Sequence, residues 1–246
     1  MMPKKIAIMG AMPEEIAPLL EKLDHVTPCV YAGNTYYEGT YKSKEVVVAY
    51  SKIGKVFATL TATVLIEKFG CALLLFSGVA GAISDELDIG DLIIAEGLCQ
   101  HDLDITAFGH PYGYVPEGEV CISTDVTLRN IAKEVAQEKG LKLKEGVIAT
   151  GDQFVANPER KAWIGKTFNA HALEMEGASV AVVCSALNIP FFIMRAISDS
   201  ADMDAGFDFD AFLEGSAKSS ADFVISMVDK IDPDELCRHS VCNHND

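Results

Sequence analysis

Apolar and polar positions follow two alternating patterns along the chain. Short apolar runs bounded by Gly, Pro, Asn or Asp predict strands, and longer stretches with an apolar face predict helices. Strand-like runs cover residues 5–9, 45–50, 71–81, 91–98, 145–151, 170–174 and 191–199. Residues 30–41, with Gly33-Asn34 and Gly39 as turn signals, predict a hairpin. Helices are predicted from Pro13, from Gly54 through Phe69, over 123–140, from Asn157-Pro158-Glu159, over 177–187 and over 208–231. Pro13 suits a first helical turn, and Glu14 and Glu15 then lie at the positive end of that helix dipole. The run 71–81 reads as a buried strand ending in a glycine-rich turn, Gly78-Val-Ala-Gly81, where backbone can approach a ligand closely. Residues 100–118 form a long irregular segment carrying Phe108, Tyr112 and Tyr114, the kind of loop that serves as a lid or an interface. Regular alternation of strands and helices predicts an α/β fold: one three-layer α/β/α domain over 1–231 with a central mixed sheet. Residues 232–246 are expected to be a polar, disordered tail.

The run after Pro190 is unusual because it contains Arg195 and ends in Ser198 and Asp199. A charge in a buried strand is costly unless paired, and strand C-terminal ends are where open α/β sheets bind ligands. An internal Arg–Asp pair and a ligand site both account for this stretch. Further acidic residues at strand-to-helix transitions, Glu15, Glu174 and Glu176, favour the site. With Phe154 after Thr150-Gly-Asp, they describe a cleft with an aromatic platform and several carboxylates.

Composition narrows the ligand. The chain has 246 residues and a formal charge of −16, with no basic stripe to meet phosphates or an anionic bilayer. A neutral or cationic small molecule is therefore expected, and neither nucleic acid nor membrane. No signal-peptide pattern opens the sequence, and the apolar run 71–83 is too short to span a bilayer. Seven scattered cysteines suit a reducing cytoplasm. Neither a dinucleotide fingerprint nor a P-loop occurs. His101, Asp102 and Asp104 have ligand-like spacing, but with no second cluster they are expected to hold the loop by hydrogen bonds rather than bind a metal. The tail stretch Cys237–His244 is assigned no function, and no cofactor is expected.

Eight motifs resemble, in order, those of the bacterial 5′-methylthioadenosine/S-adenosylhomocysteine nucleosidases. They are Gly10-Ala-Met-Pro-Glu-Glu15, Ser51-Lys-Ile-Gly-Lys55, Gly78-Val-Ala-Gly81, His101-Asp-Leu-Asp104, Thr106-Ala-Phe108, Gly151-Asp-Gln-Phe-Val155, Glu174-Met-Glu-Gly-Ala178 and Arg195-Ala-Ile-Ser-Asp-Ser-Ala-Asp202. The third and sixth resemble the branch that also hydrolyses 6-amino-6-deoxyfutalosine. The resemblance implies hydrolysis of the adenine–ribose bond in 5′-substituted adenosines, serving methionine salvage and menaquinone biosynthesis. It implies Asp199, helped by Ser198, as the acid that protonates purine nitrogen 7, which requires a raised pKa. Glu176 matches the residue that binds the ribose hydroxyls. Glu15 matches the one that activates water, with Arg195 beside it and Glu174 near the water site. Phe154 would stack on the purine, the backbone of Val155 would bond its edge, and Met175 and Phe209 would pack the ligand. Val79 stands where many members carry serine, so it is expected only to line the site. Ile105, Phe108 and Pro116 match residues that reach into a partner's 5′-substituent pocket, which implies a homodimer with shared sites. Two other readings remain open: a nucleoside phosphorylase, which shares the fold, and a non-catalytic nucleoside-binding module.

Overall fold

A computed structural model describes residues 4–201 and 205–233. In chain order the strands are β1 (Lys5–Gly10), β2 (Asp24–Tyr31), β3 (Asn34–Tyr41), β4 (Lys44–Tyr50), β5 (Cys71–Phe76), β6 (Val79–Ala82), β7 (Leu92–Gln100), β8 (Cys121–Ser123), β9 (Leu143–Thr150), β10 (Ala170–Glu174) and β11 (Phe191–Asp199). The helices are α1 (Pro13–Leu20), α2 (Lys55–Glu67), α3 (Val126–Lys139), α4 (Pro158–Phe168), α5 (Gly177–Ala186) and α6 (Ala205–Lys230). All strands join one mixed sheet in the order β2-β3-β4-β1-β5-β11-β6-β10-β9-β7-β8. β11 is long enough to pair with β5 through its first half and β6 through its second, and its middle meets β7 antiparallel. That last pairing closes β11, β6, β10, β9 and β7 into a ring.

Helices cover both faces, as the alternation predicts. Apolar residues of α2 and α5 pack on one face around Ala7, Leu74 and Ile193. Those of α1, α3 and α6 pack on the other around Ile8, Leu75 and Met194. Neighbours in sequence thus point to opposite layers, as the two-residue period of a strand requires. A third cluster, around Ala149 and Leu173, lies under α4. Among the described residues no helix is long and apolar enough to cross a membrane.

Two expectations need correction. The segment 71–81 is two strands, not a strand and a turn: the chain breaks at Ser77-Gly78, and Val79–Ala82 enters the sheet between β11 and β10. α3 begins at Val126 rather than Ser123. Asp125 caps it by accepting a bond from the Leu128 N–H at 2.9 Å, while Ser123 pairs with Gly97 in β8. The expected tail lies outside the described residues beyond residue 233.

Candidate active site

The C-terminal ends of β1, β9, β10 and β11 meet at one place, where a ligand site is expected in such a sheet. They surround a cleft with about 550 Å³ of empty space, its open mouth included. Glu15, Glu174, Glu176, Ser198 and Asp199 all line it, together with Val79, Phe154, Val155, Met175 and Phe209. Carboxylates from three distant parts of the chain therefore share one cavity.

Each is held differently. Glu15, in the first turn of α1, is 2 % exposed. It accepts from the N–H groups of Ala11, of Met12 at 3.1 Å and, through its other oxygen, of Val79 at 3.1 Å. Burial pushes its pKa up, opposed by the Arg195 charge and by these three donors. Asp199 accepts from the Ser198 hydroxyl at 3.0 Å and from the Ala201 N–H at 2.9 Å. Glu176, at the N-cap of α5, accepts from the Gly54 N–H at 2.7 Å. Burial first, then the charge of Glu174, raise the Glu176 carboxyl to about 8.

Two positions on β6 set the spacing of the two outer carboxylates. Glu15 bonds the Val79 N–H, while a Cβ added at Gly81 would lie 2.7 Å from Asp199 Oδ1. Two residues along a strand span roughly 6.6 Å.

Arg195 differs from expectation. It is 1 % exposed and does not line the cleft. Its guanidinium stacks 4.1 Å from the Phe76 ring, donates to the Phe76 and Met194 carbonyls, and pairs with Glu174 at 2.7 Å. The charge is therefore paired inside the core with Glu174, not with Asp199, and it also favours the ionised form of the nearby Glu15. Glu174 is correspondingly more central than its motif suggests, with Gly177 N–H and Glu176 N–H also donating to the same oxygen at 2.7 and 3.2 Å.

Phe154 is half exposed at the cleft and meets Phe209 edge-on, with ring centroids 5.7 Å apart. Val155 is buried beside it. Ile105, Phe108 and Pro116 do not line this chain's cleft; Phe108 is 82 % exposed. Asp102 and Asp104 hold the long loop by hydrogen bonds, as anticipated. Asp102 takes Lys55 Nζ at 2.7 Å and the Asp152 N–H at 2.8 Å, and Asp104 takes the Thr106 N–H at 2.9 Å. Sequence reasoning passed over Thr150 and Gly54, although Thr150 stands in the quoted Thr-Gly-Asp stretch and Gly54 in the loop before α2.

Comparison with known proteins agrees with this geometry. A family model for the phosphorylase superfamily matches residues 5–229. An aminodeoxyfutalosine nucleosidase of Campylobacter jejuni is 59 % identical over 227 residues, 92 % of this chain and 99 % of that protein. A crystal structure of the Campylobacter jejuni 5′-methylthioadenosine/S-adenosylhomocysteine nucleosidase superposes with a TM-score of 0.89 at 59 % identity, covering 93 % of this chain and 100 % of that one. The native futalosine hydrolase structure of Helicobacter pylori gives 0.92 at 52 % identity, covering 94 % and 99 %. With its carboxylates gathered in one cleft and this similarity along nearly its whole length, the chain belongs to the phosphorylase superfamily and, within it, to the nucleosidases that these relatives represent.

Proposed function

We propose that this chain hydrolyses the adenine–ribose bond of 5′-substituted adenine nucleosides: 5′-methylthioadenosine, S-adenosylhomocysteine, 5′-deoxyadenosine and 6-amino-6-deoxyfutalosine. The observation that carries the reading is one cleft holding Glu15, Glu176 and Asp199, with no Lys, Arg or His among its described lining residues. A phosphorylase needs donors for a phosphate dianion beside the ribose. Here that position holds a buried carboxylate, which repels phosphate and can take a proton from water.

In this reading Asp199 protonates purine nitrogen 7, which makes adenine a competent leaving group. The Ser198 hydroxyl orients the acid. Phe154 supplies the platform for the base, with Phe209 against it, and the main chain of Val155 reads the base edge. Glu176 takes the ribose hydroxyls and Met175 packs the sugar. Developing positive charge on the ribose is stabilised by the surrounding carboxylates. Glu15 orients and deprotonates the attacking water, and its raised pKa brings it closer to the pH at which a base works best. Arg195 positions Glu174 and touches no substrate. Ile105, Phe108 and Pro116 complete the 5′ pocket of a second copy, so the enzyme is a homodimer. The free cysteines Cys29, Cys71, Cys99, Cys121 and Cys184 fit a reducing compartment, the cytoplasm.

The test is adenine release from the four nucleosides, with and without inorganic phosphate, by wild type and Asp199→Asn. We expect phosphate-independent release of free sugar and a loss of roughly a hundred- to ten-thousand-fold in the variant. Phosphate-stimulated turnover with ribose 1-phosphate product would make the protein a phosphorylase. Adenine release from none of the four would leave a binding module.

A further inference from the structure

We infer that Thr150 is a positioning residue for the ribose end of the cleft, its hydroxyl locking the Glu174 carboxylate to the start of α5. The inference rests on the functional reading above.

Thr150 and Glu174 are register partners at the last positions of β9 and β10. Thr150 is fully buried, and its hydroxyl has one hydrogen, which it donates to Glu174 Oε1. Thr150 Oγ1 in turn accepts the Ala178 N–H at 2.8 Å. Glu174 Oε2 accepts the Gly177 and Glu176 N–H groups and Arg195 Nη2. The first free amides of α5, which no intrahelical carbonyl can satisfy, are thus taken by one carboxylate and one hydroxyl. Glu176, whose main chain belongs to this cap, points its own carboxylate to the Gly54 N–H. Its placement for the sugar depends on the cap's geometry.

An isosteric valine removes two bonds at once. Glu174 Oε1 loses its donor, and the buried Ala178 N–H loses its acceptor, so the carboxylate is free to turn and the start of α5 shifts with it. The purine end is held independently, because Asp199 is fixed by Ser198 and Ala201 on β11 and the turn after it. The damage is therefore confined to the sugar end.

The experiment compares Thr150→Val with Thr150→Ser by adenine-release kinetics on 5′-methylthioadenosine, and by calorimetric Kd for adenine alone. Thr150→Val is expected to lose roughly ten- to a hundredfold in kcat/KM, the scale of a hydrogen bond to a charged group. Its adenine Kd is expected to stay within about threefold of wild type, and Thr150→Ser, which keeps the hydroxyl, to recover kcat/KM to the same margin. Should the valine variant not fold, Thr150→Cys, with a weaker donor, takes its place with the same expectation. Wild-type kinetics in Thr150→Val, equal impairment in Thr150→Ser, or a matching loss of adenine affinity would each overturn the assignment. Wild-type protein that releases no adenine would overturn the functional reading itself, and the sugar-end role of Thr150 with it.

Discussion

Glu176 has two other carboxylates for neighbours, and that crowding gives stability a measurable pH dependence. Its carboxyl is raised to about 8 by burial, by Glu174 and more weakly by Glu15, against the Gly54 N–H and Arg195, which favour the charged form. The folded protein therefore holds a proton that the unfolded chain releases near its ordinary value of 4.5. Where the native state binds more protons than the unfolded one, stability falls as pH rises. The contribution is fully present below about 4.5 and is lost by about 8. Glu15, raised by burial, acts in the same sense. We expect Glu176→Gln to gain on wild type in Tm as pH is taken from 5 to 8.5, measured by scanning calorimetry at matched ionic strength. A constant Tm difference across that range would show that Glu176 is already ionised at pH 5. Glu15, Glu176 and Asp199 were legible in the sequence because acids recur where apolar runs give way to helices, although the dipole of α1 alone would account for Glu15. Thr150 and Gly54 were not, because they act through a hydroxyl and a backbone N–H. Both depend on strand register and loop path, which no residue pattern states.

At the scale of the element, β6 shows how a correct residue can be read for the wrong reason. Gly78 and Gly81 look like turn formers, but neither has the positive φ that would demand glycine. What excludes a side chain at Gly78 is the Glu15 carboxylate, whose Oε1 would lie 2.8 Å from an added Cβ. At Gly81 it is Asp199 Oδ1 at 2.7 Å and the Ala201 Cβ at 3.0 Å. The strand is bare so that two acids can press against its backbone, a close approach that also lets the Val79 N–H reach Glu15. The stretch lines the cleft, but as a strand and not the expected turn, because pairing to β10 and β11 lies too far away in sequence to be seen. Gly78→Ala should therefore separate stability from activity. A flexible carboxylate tip can yield, at the loss of one charge-assisted bond, about 1.5–3 kcal/mol. The displaced base loses its aim, and kcat should fall roughly a hundredfold. Tm and kcat measured together decide it: a folded variant with wild-type kcat would mean that Glu15 does not need its present position.

The whole molecule carries an apolar surface that its own fold leaves uncovered. On the first turns of α2, Val56 is 76 % exposed, with Phe57 and Leu60 beside it and Ile53 just before the helix. The same helix buries Ala58, Ala62 and Leu65 against the sheet, so it is apolar on two sides, and only one is needed for the core. Ile53 also lines the cleft, which puts this surface at the rim of the site. The loop anchored by the half-buried Lys55–Asp102 pair at the start of α2 carries Phe108. In the homodimer proposed above, this stripe is the surface a second copy would cover. Opposing this is the charge of −16 on each copy, a repulsion that salt screens over about 10 Å at 0.1 M. Association should therefore tighten as salt is raised, the reverse of an interface built on opposite charges. Sedimentation velocity across a concentration series, at low and at 0.5 M salt, tests this in wild type and in Val56→Glu with Leu60→Glu. We expect a wild-type dimer that dissociates more readily at low salt, and a folded monomeric double variant with a raised KM for nucleosides bearing a bulky 5′ group. KM for 5′-deoxyadenosine should change least, because it places no such group in the shared pocket. A monomeric wild type at assay concentrations, still fully active, would mean that one chain builds the whole site.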